Sequence, residues 1–324
     1  MDGLPVRYYN NEREGLFCDG HEPESGFARN PGDRVQTGKY LWTLPVFAWT
    51  PGNKKSDRSE GMESMAEQLL EKIEHYWTGR AAGYSKVNQE ELAGKQRKDW
   101  LAAIEQEIEK VCGKREKKNI RILDAGTGPG FFAIILAEAG YCVTAVDYTP
   151  AMLDQARKNA GPLEERIDFR QMDAQELQFE EESFDVVISR NLTWVLEHPD
   201  RAYASWKRVL KKNGLLINFD ANWYHYLYDE KKEAAYQKDR EAVREQGMED
   251  YNTAPDIDED AMEEIARAVP LGREDRPAWD IRALEKIRMR RIQADTEVWK
   301  RVWTPVEQVN FASTPMFMVT AQKD

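Results

Sequence analysis

Short buried strands alternate with helices along residues 120–219, and this alternation restricts the possible folds more than any other feature. Apolar, β-prone runs stand at 120–123, 142–146, 167–171, 186–189 and 215–219. Helical stretches separate them at 131–139, 150–159 and 199–210. A repeat of strand, helix and strand builds a parallel sheet that helices cover on both faces. The sequence therefore predicts an α/β core.

The segments that flank this core differ from it in composition. The first 61 residues are rich in Gly and Pro yet contain large apolar side chains, so we expect them to fold as a cover. Long charged helices follow the fifth strand, and an apolar run near the C-terminus is expected to return to the sheet. The predicted organisation is a lid at 1–61, a core at 62–220, a helical cap insertion at 221–295 and closing strands at 296–324.

Several helices outside the core are also predicted from apolar spacing and capping signals. Amphipathic patterns indicate helices at 62–77 and 88–111 ahead of the first strand. Within the cap, helices are expected at 223–245 and 278–290. Asp258 precedes an acidic first turn and is predicted to cap another helix that ends at residue 268.

A glycine-rich turn follows the first predicted strand and leads into a helix. Its sequence from Asp124 to Gly130 is Asp-Ala-Gly-Thr-Gly-Pro-Gly. Glycines let the backbone turn sharply and lie against a ligand, and the N-terminus of the next helix attracts negative charge. The dinucleotide-binding pattern needs a glycine at its sixth place, where this chain has Phe131. A lone turn of this kind also serves simply to join two elements.

Acidic residues follow the next two strands. Asp147 closes the second strand, where a carboxylate can accept hydrogen bonds from both ribose hydroxyls of a nucleoside. Asp173 follows the third strand and can accept from an adenine amino group, while Ala174 offers a backbone donor; alone, Asp173 is most simply a loop or cap residue. Because parallel sheets bind ligands outside the carboxyl ends of their strands, we expect these groups to converge on one ligand.

With these motifs the chain resembles the class I S-adenosylmethionine-dependent methyltransferases, particularly the small-molecule branch that includes the ubiquinone and menaquinone biosynthesis enzymes. The spacing Asp-x-Gly-x-Gly-x-Gly is typical of them, and the resemblance covers residues 76–220. Further marks are His75-Tyr76-Trp77 with Tyr84, the segment 189–194 and the segment 206–214. The resemblance implies a Rossmann-like, doubly wound, mostly parallel seven-stranded sheet, to which the N-terminal lid and the helical cap insertion predicted above are added; residues 1–60 and 221–300 depart from the family pattern. It also implies that S-adenosylmethionine is bound and S-adenosylhomocysteine released.

The same resemblance assigns the cofactor contacts. It implies that Asp124 and Gly126 hold the methionine part, Asp147 the ribose and Asp173 the adenine. Residues expected near the methionine end or the transfer site are Tyr84, Arg190 and Asn191. The remaining expected contacts are Thr127, Gly128, Gly130, Tyr148 and Ala174.

The methyl acceptor is expected to be a small organic molecule. Candidate aromatic walls for an apolar or heteroaromatic acceptor are Trp42, Trp49, Trp194, Trp223 and Tyr224. The plainer alternative is that these rings only hold the lid to the core. His225 follows the fifth strand and is a candidate general base, although a structural histidine is the alternative. Cys18 and His21 are too few ligands for a metal site, so no metal is expected.

Net charge, apolar runs and cysteine count restrict the substrates and the cellular location that we expect. The formal charge of −12 disfavours nucleic acid as the substrate. No run approaches the roughly 20 apolar residues of a membrane span, and the N-terminus lacks a secretory pattern, so we expect a cytoplasmic protein. The oligomeric state stays open between a monomer and a homodimer. The three cysteines are too few for a disulfide framework. A methyltransferase of proteins or nucleic acids, a non-catalytic regulator that binds the cofactor, and a nicotinamide oxidoreductase stay open as alternatives.

Overall fold

The computed structural model describes residues 56–253 and 257–324, with side chains from Leu69 onward. Residues 65–324 form one compact unit, which holds the elements discussed below except the start of the first helix at Ser56. Residues 1–55 of the predicted lid, with Trp42, Trp49, Cys18 and His21, lie outside the described residues, whereas residues 56–61 belong to that helix.

Within this unit, a seven-stranded sheet has the order β3-β2-β1-β4-β5-β7-β6. Its strands are β1 Arg121–Ala125, β2 Cys142–Asp147, β3 Ile167–Gln171, β4 Phe184–Arg190, β5 Leu210–Asp220, β6 Arg290–Asp295 and β7 Phe317–Gln322. The first five strands are parallel, whereas β7 pairs antiparallel with both β5 and β6. The prediction of a doubly wound, mostly parallel sheet is therefore confirmed.

Helices cover both faces of this sheet. They are α1 Ser56–Ala93, α2 Gln96–Cys112, α3 Phe131–Glu138, α4 Pro150–Ala160, α5 Pro199–Val209, α6 Glu230–Glu245, α7 Glu259–Ala268, α8 Ala278–Lys286, α9 Trp299–Val302 and α10 Pro305–Asn310. Ile122 packs in a core with Trp100 of α2, while its neighbour Leu123 packs on the other face with Trp206 of α5. Because both faces are buried, the central strands are continuously apolar rather than alternating.

The boundaries of α1 differ from the prediction. A single helix runs from Ser56 to Ala93, and α2 begins at Gln96, so the predicted gap between residues 77 and 88 and the predicted start at 88 are wrong. The face of α1 that carries the buried Ile73 and Ala81 continues through Ser85 and Asn88, which are each 1% exposed. Polar residues on the buried face interrupt the apolar pattern, although the helix itself continues.

The cap also differs from the prediction in detail. The helix expected from residue 223 begins at Glu230, since a 3-10 turn occupies His225–Leu227. Asp258 does cap α7, accepting a hydrogen bond from the backbone N–H of Ala261 at 3.0 Å. Strand β6 lies at 290–295, inside the range expected to be helical, because this edge strand is mostly exposed and charged and shows no apolar alternation.

A buried ionic cluster joins the cap to the sheet. Arg276, which lies just before α8, has Nη1 2.7 Å from Oδ2 of Asp220 at the end of β5. Its Nη2 lies 2.7 Å from Oδ1 of Asp280 and donates to the hydroxyl of Thr193 at 2.6 Å. All three charged side chains are fully buried. This cluster fixes the cap beside the carboxyl ends of β4 and β5.

None of the helices in the described part of the chain is both long enough and apolar enough to cross a membrane.

Candidate active site

The glycine-rich turn between β1 and α3 is tightly fitted to its neighbours. The backbone N–H groups of Gly126 and Thr127 both donate to the carbonyl of Val146 at 2.9 Å, which ties the turn to β2. Gly126 has φ +70°, and a Cβ there would lie 2.7 Å from Cδ2 of Leu192. Gly130 has φ +94°, and a Cβ there would lie 3.0 Å from the Cβ of Ala156. Both positions therefore require glycine for conformation and for space.

Asp124 stands at the end of β1 and is 2% exposed. Its Oδ2 accepts hydrogen bonds from the Thr127 hydroxyl at 2.6 Å and from the Ala133 backbone N–H at 3.1 Å. Burial raises the pKa of Asp124 to about 6, since the cost of desolvation outweighs these hydrogen bonds. The side chain thus holds the glycine turn against the first turn of α3.

Asp147 stands at the end of β2, next to this turn. Its Oδ2 accepts from the Gly128 backbone N–H at 2.8 Å, and its Oδ1 accepts from the Thr149 backbone N–H at 2.9 Å. Burial raises the pKa of Asp147 to about 6 as well. The Thr149 side chain and the Tyr148 backbone N–H also hydrogen-bond to this carboxylate, so Asp147 ties the glycine turn to the start of α4.

Asp173 lies beyond β3, where its Oδ1 accepts from the backbone N–H of Gln175 at 2.8 Å. The Oε1 of Gln175 in turn accepts from the backbone N–H of His198 at 2.7 Å. The carbonyl of Ala174 accepts from the indole N–H of Trp206 at 2.8 Å. This loop is therefore fixed by its own hydrogen bonds and by α5, and Asp173 serves as a turn cap as well as facing the cavity described next.

One cavity gathers most of the predicted cofactor residues at the carboxyl edge of the sheet, and we name it the glycine-turn cavity. Its empty space is about 990 Å³, including space open to solvent. The predicted residues on its wall are Tyr84, Asp124, Gly126, Thr127, Gly128, Asp147, Tyr148, Asp173, Ala174, Arg190 and Asn191. Gly130 is not on the wall, because it faces Ala156 of α4. Their roles toward a cofactor stay predictions.

The guanidinium of Arg190 is held by protein groups. Its two terminal nitrogens lie 2.7 and 3.0 Å from the two carboxylate oxygens of Glu91 on α1. Its Cζ lies 4.7 to 5.2 Å from the ring centroids of Trp100, Phe131 and Phe132. Burial alone would lower the pKa of Arg190, but the charge of Glu91 raises it overall. Arg190 thus links β4 to α1, and its predicted cofactor contact gains no further support from this geometry.

Helix α1 supplies Trp77, Tyr84 and Asn88 to the wall of the glycine-turn cavity. Tyr84 was predicted to lie near the cofactor, whereas sequence reasoning missed Trp77 and Asn88 as wall residues. Asn88 donates from Nδ2 to Glu91 at 3.1 Å, while its buried Oδ1 has no hydrogen-bond partner among the described residues. Spacings of seven, four and three residues from Trp77 through Glu91 place all four side chains on one helix face. That spacing was the available signal, and the break assumed after residue 77 concealed it.

A second cavity of about 800 Å³, including space open to solvent, adjoins the first, and we name it the aromatic cavity. Its ring-bearing wall residues are Tyr76, Trp77, Tyr84, Trp194, Trp223, Tyr224, Tyr226, Tyr236 and Phe311. The predicted acceptor residues Trp194, Trp223 and Tyr224 are among them. Trp77 and Tyr84, whose ring centroids are 5.7 Å apart, line both cavities. The two cavities therefore share a wall.

His225 begins the 3-10 turn after β5 and lines neither cavity. Its Nδ1 is buried and has no hydrogen-bond partner within the described ranges. Its predicted role as a general base therefore gains no support from its position and stays a prediction. Over the same ranges, no group of three or more His, Cys, Asp or Glu side chains is arranged to hold a metal ion.

The chain is similar in sequence to known methyltransferases. A family model described as a methyltransferase domain matches residues 123–218. A phosphatidylethanolamine N-methyltransferase from Cereibacter sphaeroides is 33% identical over 120 residues, which are 36% of this chain and 57% of that protein. A demethylmenaquinone methyltransferase from Clavibacter sepedonicus is 34% identical over 119 residues, which are 36% of this chain and 45% of that protein.

Among solved structures, the geranyl diphosphate C-methyltransferase from Streptomyces coelicolor A3(2) aligns with 69% of this chain and 79% of its own. The identity is 14% and the TM-score is 0.46. The chain spans about half the length of the relatives named above, 57% and 45%.

Proposed function

We propose that this chain, in which residues 123–218 form a class I S-adenosylmethionine-dependent methyltransferase domain, transfers a methyl group from S-adenosylmethionine to a small organic molecule. The observation that carries the proposal is the pair of adjoining cavities. One is built around the glycine turn and the other is aromatic. Trp77 and Tyr84 line both cavities, at the boundary where the two adjoin. Donor and acceptor can therefore meet at a single boundary.

The residues of the glycine-turn cavity fit S-adenosylmethionine chemically. Asp147 lines the cavity, and its two carboxylate oxygens suit the two ribose hydroxyls as acceptors. The amide oxygens Oδ1 of Asn88 and Asn191 are buried without a partner in the described structure, and both residues line the cavity. These acceptors suit the ammonium group of the methionine part, and Asp173 would hold the adenine. When bound, S-adenosylmethionine supplies an electrophilic methyl group on a positively charged sulfur.

The protein contributes mainly position and the exclusion of water. Methyl transfer is an in-line displacement, so the acceptor atom must be held on the axis of the bond that breaks. Burial raises the pKa values of Tyr224 and Tyr226, and that of Tyr236 to about 12. At neutral pH these phenols are protonated, so they do not act as bases toward the methyl acceptor.

The enclosure of the aromatic cavity favours a small molecule over a macromolecule. Its wall draws on α1, the loop after β4, the segment after β5, and helices α6, α7 and α10. The formal charge of −12 adds a general repulsion of nucleic acid. A methyltransferase of proteins or nucleic acids, and a cofactor-binding regulator, are the competing functions.

Two measurements test this proposal. In calorimetry, S-adenosylhomocysteine should bind and nicotinamide dinucleotides should not; the reverse would overturn the assignment. A cell extract should then be separated by size, and each fraction incubated with the protein and methyl-labelled S-adenosylmethionine. Label in the low-mass fraction supports the proposal. Label in protein or nucleic acid favours the macromolecular alternative, and tight binding with no label in any fraction favours a regulator.

A further inference from the structure

We propose that the methyl acceptor is an aliphatic amine, and that the aromatic cavity binds its nitrogen as that nitrogen becomes cationic. The inference rests on the proposed function and adds the chemical class of the acceptor. It is drawn from the aromatic rings, the carboxylates behind them and the charge change that the reaction requires.

The first argument is the density of aromatic rings. Trp194 and Tyr224 stack with centroids 5.3 Å apart, and Tyr226 and Tyr236 stack at 4.3 Å. Tyr224 also lies 5.8 Å from Tyr226, so the four rings form a continuous row along the cavity. Aromatic faces attract alkylammonium groups through the ring quadrupole, and an aromatic enclosure is a common way to recognise such cations.

The second argument is the charge behind the rings. The hydroxyl of Tyr226 donates to Oε1 of Glu263 at 3.1 Å, and that of Tyr236 donates to Oε1 of Glu259 at 3.5 Å. Glu259 itself lines the cavity. A phenol that donates to a carboxylate presents a more electron-rich ring, and both carboxylates attract a cation directly. Burial raises the pKa of Tyr226, and the neighbouring Tyr236 and Glu263 raise it further, in keeping with a cavity that disfavours added negative charge.

Positive charges near the cavity lie at its edge or behind a ring. Arg80 lines the aromatic cavity but also two neighbouring clefts, so it stands at the rim where three openings meet. Arg240 lies behind Tyr236, with its Cζ 5.3 Å from the ring centroid, and it is paired with Asp250. Neither guanidinium removes the aromatic and acidic character of the cavity interior.

The reaction itself moves a positive charge into this cavity. An amine that has lost its proton to solvent uses its nitrogen lone pair to form a bond to the methyl carbon. The carbon–sulfur bond breaks, and its electron pair goes to sulfur. Sulfur becomes a neutral thioether and nitrogen becomes a cationic ammonium, so total charge is conserved. Rings that meet this charge only as it develops would favour the transition state over the neutral amine.

Binding of product-like cations tests the proposal without any turnover. Calorimetry with the S-adenosylhomocysteine-loaded protein would compare choline with its uncharged carbon isostere 3,3-dimethylbutan-1-ol, and would include tetramethylammonium. We expect both cations to bind, and choline to bind at least about tenfold more tightly than the isostere. Equal binding of choline and the isostere, tighter binding of the isostere, or no binding of either cation would overturn the proposal.

Substitutions test whether choline binds in the aromatic cavity. Trp223→Leu removes a ring from the cavity wall and should weaken choline binding at least about fivefold, whereas Trp223→Phe should retain most of it. Tyr251→Leu is the matched control, since half-buried Tyr251 shares a neighbouring cleft with Trp223 but does not line the aromatic cavity. Each variant should bind S-adenosylhomocysteine within twofold of the unmodified protein, which shows that it is folded. An equal weakening in the Trp223→Leu and Tyr251→Leu proteins would contradict a site in the aromatic cavity.

The two proposals fail in different ways. If S-adenosylhomocysteine does not bind, the proposed function fails. If it binds, and cations show no advantage over the isostere, only the amine inference fails.

Discussion

Replacing Asp147 by Asn should weaken nucleoside binding strongly while leaving the fold intact. In the structure each carboxylate oxygen already accepts one backbone N–H, from Gly128 at 2.8 Å and from Thr149 at 2.9 Å. Asp147 also lines the glycine-turn cavity, where its two oxygens can accept from the two ribose hydroxyls of a bound nucleoside. An amide keeps only one oxygen, and its NH₂ group would face a backbone N–H that also donates.

The size of the effect follows from these hydrogen bonds. A hydrogen bond to a charged group contributes about 1.5–3 kcal/mol. Because the amide removes one ribose hydrogen bond and weakens the other, the Asp147→Asn protein should bind less favourably by about 2–4 kcal/mol, which corresponds to a Kd at least about 30 times higher. Its melting temperature should change little, because the amide also removes the cost of burying a charge.

Calorimetric titration with S-adenosylhomocysteine at several pH values would measure this effect. Because the pKa of Asp147 is raised to about 6, wild-type affinity should fall as pH drops through 6, by about tenfold at pH 5. The Asp147→Asn protein should show a weaker pH dependence. Asp154→Asn on the exposed face of α4 is the matched control and should bind like the wild type. A variant Kd within twofold of the wild type would refute the assignment of Asp147 to the ribose.

Three further perturbations have defined outcomes. Gly126→Ala should weaken S-adenosylhomocysteine binding at least about tenfold, because the new methyl group would collide with Leu192 and the backbone φ of +70° disfavours alanine. A calorimetric Kd equal to that of the wild type would contradict this. Arg276→Leu should lower the free energy of unfolding, measured in urea, by about 3–5 kcal/mol, because it leaves the buried carboxylates of Asp220 and Asp280 without their cation. A decrease below about 1 kcal/mol would show that the ionic cluster contributes little to stability. Asp124→Asn should make the cofactor-free protein more stable at pH 8 by up to about 3 kcal/mol, with no gain at pH 4. The folded-state pKa of about 6 lies above the ordinary 3.8, so the contribution of Asp124 to stability is largest below pH 3.8 and is lost as pH rises through 6. Urea titrations that show the same gain in stability for Asp124→Asn at both pH values would contradict this pH dependence.

Much of the glycine-turn cavity could be predicted from local patterns alone. The glycine turn, Asp147 and Asp173 each follow a strand, and the carboxyl ends of parallel strands lie at one edge of the sheet. Their convergence therefore required only the order of strands and helices. Arg190 and Gly130 show the limit of this reasoning. A strand-end position gives the neighbourhood of a side chain, but Arg190 pairs with Glu91, and Gly130 faces Ala156.

The aromatic cavity was only partly predictable. Trp194, Trp223 and Tyr224 follow β4 and β5 directly, so their neighbourhood could be inferred from the sheet. Tyr236 and Phe311 come from α6 and from the residue after α10, and nothing in their local sequence distinguishes them from core aromatics.

By itself the sequence determined the alternation of strands and helices, the turn that only glycine can form, and the acidic residues at strand ends. These features depend on backbone conformation and on periodicity, which act over a few residues. Only the tertiary structure decided that α1 continues to Ala93 and brings Trp77, Tyr84 and Asn88 to the sheet edge, and that the cap closes an aromatic space beside it. Such contacts join residues far apart in the chain, and they depend on the packing of whole helices rather than on any local pattern.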